Sequence, residues 1–305
     1  MRSIYSVLLS CALGVSPVLA LNPAPAPAPA PELPKIETQL PGNTSLAAFV
    51  NFQRLFALYG DILVKSHWYR DAQKEIAAGF PDPAKDINQL GIVANLEDVE
   101  TASAGVVSQG SIDMARAMAW AQSHHLGFTP SNYHGVTLMT TQQDKAAVQV
   151  GFVNESTTLL SIDRPVVHDT SKNIIGTIQG QIPSFSATTG ITLPANYLGN
   201  ASLKMTDALR AVLGHSGSWE PISHIDLATA SVTSDVATQD AQIDLVVTCD
   251  AEVTAQKLND IVQKDIPHLT GANGPCSKLV ASVAGKVLTV NGSVKRVFLE
   301  QVLGH

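Results

Sequence analysis

Leu213-Gly214-His215-Ser216-Gly217-Ser218 is the stretch of this 305-residue chain that comes nearest to a catalytic signature. Glycines around a serine, with a histidine just before it, approximate a nucleophile elbow, the strained strand-to-helix turn that presents a hydroxyl. Ser216 would then be the nucleophile, with His215, His224 or His268 as candidate base. Three features oppose this reading. Ser218 replaces the last glycine of the motif, and Trp219-Glu220-Pro221 interrupts the helix that should follow. Before the motif an elbow needs a buried strand, yet Leu203–Leu213 reads as a helix with Leu209, Val212 and Leu213 on one face.

The other chemistry-bearing residues are more scattered. His124 and His125 close a predicted helix, where a cation is favourable without any metal, and His134 opens a strand. They lack an HExxH motif or a carboxylate at ligand spacing, so no metal site is assigned. His168, with Asp163, Arg164 and Asp169, reads as a solvated segment. His67-Trp68-Tyr69-Arg70 is the densest aromatic and polar cluster, read as one edge of a helix packed by Trp68. Glu97, Asp98 and Glu100 crowd a polar turn with nothing to fix a glycosidase geometry. Phosphate-cradling glycine loops are absent, and no cofactor is expected. Asn43, Asn154, Asn200 and Asn291 begin Asn-x-Ser/Thr sequons, which matter only in a glycosylating host.

What would hold these residues is a body with a degenerate internal repeat. Asn43-Thr44-Ser45-Leu46 echoes Asn200-Ala201-Ser202-Leu203, and Val106-Val107-Ser108 aligns with Val246-Val247-Thr248 at an offset of 140. Alternating apolar residues predict strands over 104–110, 136–140, 147–153, 158–162, 243–249, 279–283 and 286–290. Helices are expected over 113–124 and 252–264, within 56–78, and over 294–303. Short strands on short links imply antiparallel sheets. The expected fold is α+β: two similar modules, 43–190 and 191–305, each an antiparallel sheet with helices on one face.

The N-terminus carries an address. Arg2, the apolar run Ile4–Ala20 and the small residues Val18 and Ala20 make a secretory signal cleaved before Leu21. Two alternatives stay open: an uncleaved anchor, and a lipoprotein signal at Leu8-Leu9-Ser10-Cys11. Alternating Ala and Pro up to Pro31 then impose an extended spacer, so 21–42 is a linker. An exported chain folds in an oxidising compartment, where Cys249 and Cys276 form an even pair. A disulfide between them is expected, worth about 3–4 kcal/mol for a loop of this size.

Composition narrows the function. The chain is 45% hydrophobic and 15% charged, which excludes a disordered protein. Its net charge of −7, which becomes −8 when Arg2 leaves with the signal, excludes nucleic-acid binding through a basic surface.

Asp82-Pro83-Ala84-Lys85-Asp86-Ile87, the strand leading into the helix near Ser111–Ala121, and Tyr133-His134-Gly135-Val136 together resemble a group of exported bacterial proteins of about this length. The resemblance spans most of 43–305 and implies two degenerate α+β repeats, with no particular chemistry. The expected function is that of an exported, non-enzymatic binding protein, periplasmic or envelope-associated. Its ligand would be an unknown protein or an apolar small molecule, held in a cleft between the modules. The alternatives are a serine hydrolase using Ser216 and an envelope scaffold tethered through the spacer. The membrane is a partner only if the N-terminus is retained or lipidated.

Overall fold

A computed structural model of the chain describes residues 34–96, 103–123, 127–143, 146–164, 169–214, 220–234, 240–272 and 274–299. In chain order, strand β1 (Leu46–Asn51) leads to helices α1 (Phe52–Leu63) and α2 (His67–Ala77). Strands β2 (Ile87–Asn95) and β3 (Ser103–Gly110) precede helix α3 (Met114–Ser123). Then come β4 (Thr129–Tyr133), β5 (Val136–Gln143), β6 (Ala146–Asn154), β7 (Thr157–Asp163), α4 (Thr170–Ile178) and α5 (Phe185–Thr189). The rest is β8 (Tyr197–Lys204), α6 (Asp207–Gly214), α7 (Glu220–Ser223), β9 (Ile225–Ser234), β10 (Ala241–Cys249), α8 (Glu252–Thr270), β11 (Cys276–Ala284) and β12 (Val287–Val294).

The strands form a single sheet of 12, in the order β11-β12-β10-β9-β8-β1-β2-β3-β7-β6-β5-β4. Its neighbouring strands run antiparallel throughout. The α+β class and the antiparallel sheet are therefore as expected, and the two halves contribute to one shared sheet. β1 and β8 pair from Leu46↔Leu203 to Val50↔Gly199, so one continuous surface replaces the expected cleft.

Helices were expected on one face, and strands β1, β2 and β3 need them on both. Phe49, Val93, Val107 and Leu159 point to one side, into a cluster with Ile36, Leu40, Ile174, Ile175 and Phe185. Val50, Leu90, Ile92 and Val106 point to the other, against Phe52, Phe56 and Tyr69. Strands apolar on both faces must be covered on both. Gly105 lets α4 come close: a β-carbon there would sit 2.7 Å from Thr170 Cγ2 and 2.8 Å from Ile174 Cδ1. Over the second half, Leu203, Ala228, Leu245, Val247 and Leu288 pack against Leu209, Ile222, Ala255 and Leu258 of α6, α7 and α8. Leu203 lies opposite Leu46, so this face continues the one that α1 covers. The reverse face of these strands carries Thr229, Ser231, Asp244, Thr289 and Asn291, the polar side of a sheet covered on one face.

The expected disulfide does not form. Cys276 begins β11 opposite Val294, which also faces Ala241, the first residue of β10. Cys249 ends β10, eight residues further along. At ~3.3 Å per residue the two cysteines stand on the order of 25 Å apart, whereas a bridge needs Cα atoms about 5–7 Å apart. Both are buried free thiols, in different apolar clusters, and burial pushes both above the ordinary thiol range.

Candidate functional site

Ser216 and His215 lie outside the described residues. Their flanks are described, and they decide the elbow question. Helix α6 ends at Gly214 and α7 begins at Glu220, so a helix stands where a nucleophile elbow requires a strand. The helix begins at Asp207, later than expected, because β8 runs on to Lys204. Of the two described candidate bases, His268 lies in the last turn of α8 and His224 at the other end of that helix, beside its first residues. A helix of 19 residues separates them by roughly 25 Å.

His224 has a partner that sequence spacing does not reveal. It immediately precedes β9, and Asp250 immediately follows β10; the pairing of these strands brings the two together. Asp250 N–H donates to the His224 carbonyl at 3.0 Å, and His224 Nδ1 lies 2.7 Å from Asp250 Oδ2. Thr254 Oγ1 donates to Asp250 Oδ1 at 3.0 Å, and Lys286 Nζ donates to the Asp250 carbonyl. The contact with His224 holds the Asp250 carboxyl below the usual carboxylate range, so it is ionised at neutral pH. An ionised acceptor beside Nδ1 makes that nitrogen the donor. Arg210 braces the corner, donating to the Ser223 carbonyl at 2.7 Å and to Asp226 Oδ1 at 2.6 Å. Both members of the pair are solvent-accessible, with side chains 45% and 40% exposed.

The first half turns the same corner with different residues. There Ser111 N–H donates to the Asp86 carbonyl at 2.8 Å and Gly110 N–H to the Ser156 carbonyl at 2.9 Å. In the second half Asp250 donates to His224, and Cys249 N–H to the Lys286 carbonyl at 2.9 Å. Ile87↔Gly110 corresponds to Ile225↔Cys249, and the strand register shifts beside both pairs. Gly110 and Cys249 fix the offset at 139, not the expected 140, and a one-residue slip would exchange the two faces of a strand. Leu46 and Leu203 are cross-strand partners rather than equivalent positions.

Other candidates are not brought together. His124, His125, His168, Glu97, Asp98 and Glu100 lie outside the described residues. His134 occupies the left-handed region at φ 50° in the β4–β5 turn, where its carbonyl accepts from Gln179 Nε2 at 3.0 Å. Tyr69 anchors α2, fully buried against Leu90 and Ile87 of β2, and the Trp68 side chain, expected to pack this helix, lies outside what is described. Asp163, expected in solvent, is buried and accepts from Ser161 Oγ at 3.0 Å and from Thr170 N–H at 3.1 and 3.2 Å. Among the described residues no group of three His, Cys, Asp or Glu side chains is arranged to hold a metal.

A hollow lined by Asn43, Asn95, Ser103 and Asn173 among others has a volume of about 10 Å³, room for one water. No described helix is long and apolar enough to cross a membrane. No protein-family model matches the chain, and no curated protein matches it. Among solved structures it is similar to two crystal forms of TP0453. Form III superposes with a TM-score of 0.54 at 10% identity, over 88% of this chain and 97% of that one. Form IV gives 0.51 at 10% identity, over 88% and 96%. At such identity the likeness is one of fold: this chain shares the overall architecture of TP0453.

Proposed function

We propose that the protein is exported, by way of the signal ending at Ala20, and acts in the periplasm or envelope by binding a protein partner through the surface of its second half. The observation that carries the binding claim is where large apolar side chains remain in solvent. Val253 and Ile261, both on α8, are 62% and 48% exposed, and Met114 is the one large apolar residue so exposed before position 246 among those described. Exposed apolar side chains on one helix mark an interaction site. The two matching corners support a body built from two copies of one module, 43–190 and 191–305, fused edge to edge through β1 and β8. The Ala-Pro spacer would let that body reach away from an attachment point.

Photo-crosslinking in the native cells tests the binding site. A photoreactive residue at Ile261 should give one discrete adduct that Val253→Asp removes, while the same residue at exposed Asn154 should give none. Equal yields from both positions, or no adduct at Ile261, would reject the surface.

A further inference from the structure

We propose that the outer edge of β11 takes up an extended segment of another protein as an added antiparallel strand. This surface is separate from that of Val253 and Ile261. Gln263, which reaches the β11 edge, and Ile261 lie roughly 160° apart around α8. β4 and β11 are the outer strands of the sheet. β4 (TPSNY) is guarded as edge strands commonly are, by having only five residues and by Pro130. β11 (CSKLVASVA) runs for nine residues with no proline and a single charge, Lys278. The Gly285-Lys286 turn closes on the pair Ala284↔Val287, and the closing pair of a two-residue hairpin is hydrogen-bonded. Alternation then points the N–H and C=O of Ala284, Ser282 and Val280 toward β12, and those of Val283, Ala281 and Leu279 outward. The Ala281 carbonyl confirms this, because it accepts from Gln263 Nε2 at 3.2 Å and not from β12.

The first half shows what such an edge receives. The corner at Ser156, between β6 and β7, matches that at Lys286, between β11 and β12, so β6 is the counterpart of β11. β6 carries β5 on its outer side, antiparallel from Thr137↔Phe152 to Gln143↔Ala146. Among the described residues no strand holds that place on β11. A second copy of this chain fits it poorly. α8 lies chiefly over β11, so pairing two β11 strands would set two such helices over strands about 5 Å apart. Packed helices need about 8–10 Å. An extended segment brings no helix, and its main chain supplies the missing partners. On the open face it would place an apolar residue opposite Val280, which is 48% exposed, and an acid two residues later opposite Lys278.

Photo-crosslinking of the full chain in its native cells, with the adducts mapped by peptide sequencing, tests the added strand. Photoreactive residues placed singly at Ala284, Ser282 and Val280 should capture one and the same protein. The captured positions should advance two residues at a time along that protein as the probe moves from 284 to 280, which only an antiparallel strand produces. The same probe at Thr129 of β4 should capture nothing. Ala281→Pro removes an outward N–H and no bond to β12, so it should lower the yield at least about 10-fold. Lys278→Glu, on an exposed position, should lower it several-fold and decides the matter if the proline variant fails to fold. Val253→Asp should leave all three adducts, so this edge and the α8 surface are read separately. Absence of adducts, adducts with a second copy of this chain, captured positions that do not advance by two, or an unchanged yield in the folded variant would overturn the proposal.

Discussion

Replacing Gly110 with alanine should lower the stability of the protein by about 3 kcal/mol, the upper end of what overpacking costs. A β-carbon built there lies 1.9 Å from the Asp86 carbonyl oxygen and 2.9 Å from Ile87 Cα. Both are backbone atoms, so no side chain can swing aside. To make room, the start of β2 must separate from the end of β3, which breaks the Ser111–Asp86 hydrogen bond and disturbs the Ile87↔Gly110 pair. For a body of this size the loss corresponds to roughly 6–12 °C in melting temperature. Gly127→Ala is the control. That glycine has φ +56° with nothing within 4 Å, so only backbone strain of about 1 kcal/mol is expected. Thermal unfolding of both variants decides the matter. Equal effects would mean that the corner yields freely and does not tie β2 to β3.

Asp163→Ala should be comparably damaging, at about 2–4 kcal/mol. The carboxylate at the end of β7 accepts the first N–H of α4 and the Ser161 hydroxyl, which itself meets Ser171 Oγ at 2.6 Å. Alanine would take the acceptor from the buried Thr170 N–H and one of the two partners from Ser161 Oγ, under the helix that Gly105 admits. Asp163→Asn keeps an oxygen acceptor and should cost far less. The pH dependence separates charge from hydrogen bonding. Burial raises the Asp163 carboxyl above the ordinary range, against the lowering effect of its hydrogen bonds to Thr170 and Ser161. A raised acid favours the folded state most below its unfolded pKa of about 3.9, and that contribution is lost as pH rises through the folded value. The asparagine variant lacks this loss, so its stability relative to the parent should improve from acidic to neutral pH. Denaturant midpoints measured across that range test it. A constant difference would mean that Asp163 titrates as it does in the unfolded chain.

Much of the outer sheet is legible in the sequence. β3, β6, β7 and β10 announce themselves because apolar residues alternate within short runs, and α3 and α8 because an apolar stripe follows each strand directly. The strands that join the halves are not legible. β8 (YLGNASLK) and β9 (IDLATASVTS) are rich in Gly, Ala, Ser and Thr, and their pairing with β1 and β10 comes from distant parts of the chain. The single helix expected within 56–78 is two, because apolar spacing continues through Val64–Ser66 while Ser66 is extended at φ −66°, ψ 152°. The cysteines misled because an even count carries no information about which end of a strand each occupies. His224 was recognisable as a candidate base, but Asp250 was not, since 26 residues separate them and only the β9–β10 pairing closes the gap. Asp163 reads as one acid in a polar run, and nothing local marks it as the residue that α4 buries.

The most direct test of the exported, disulfide-free body is the intact mass of the protein from its native cells, measured under denaturing, non-reducing conditions. The account predicts the mass of residues 21–305 with Cys249 and Cys276 both as thiols. A mass two hydrogens lower would contradict the strand register that sets the cysteines at opposite ends of neighbouring strands. The mass of the full 305-residue chain, or a lipid-bearing chain beginning at Cys11, would contradict cleavage before Leu21.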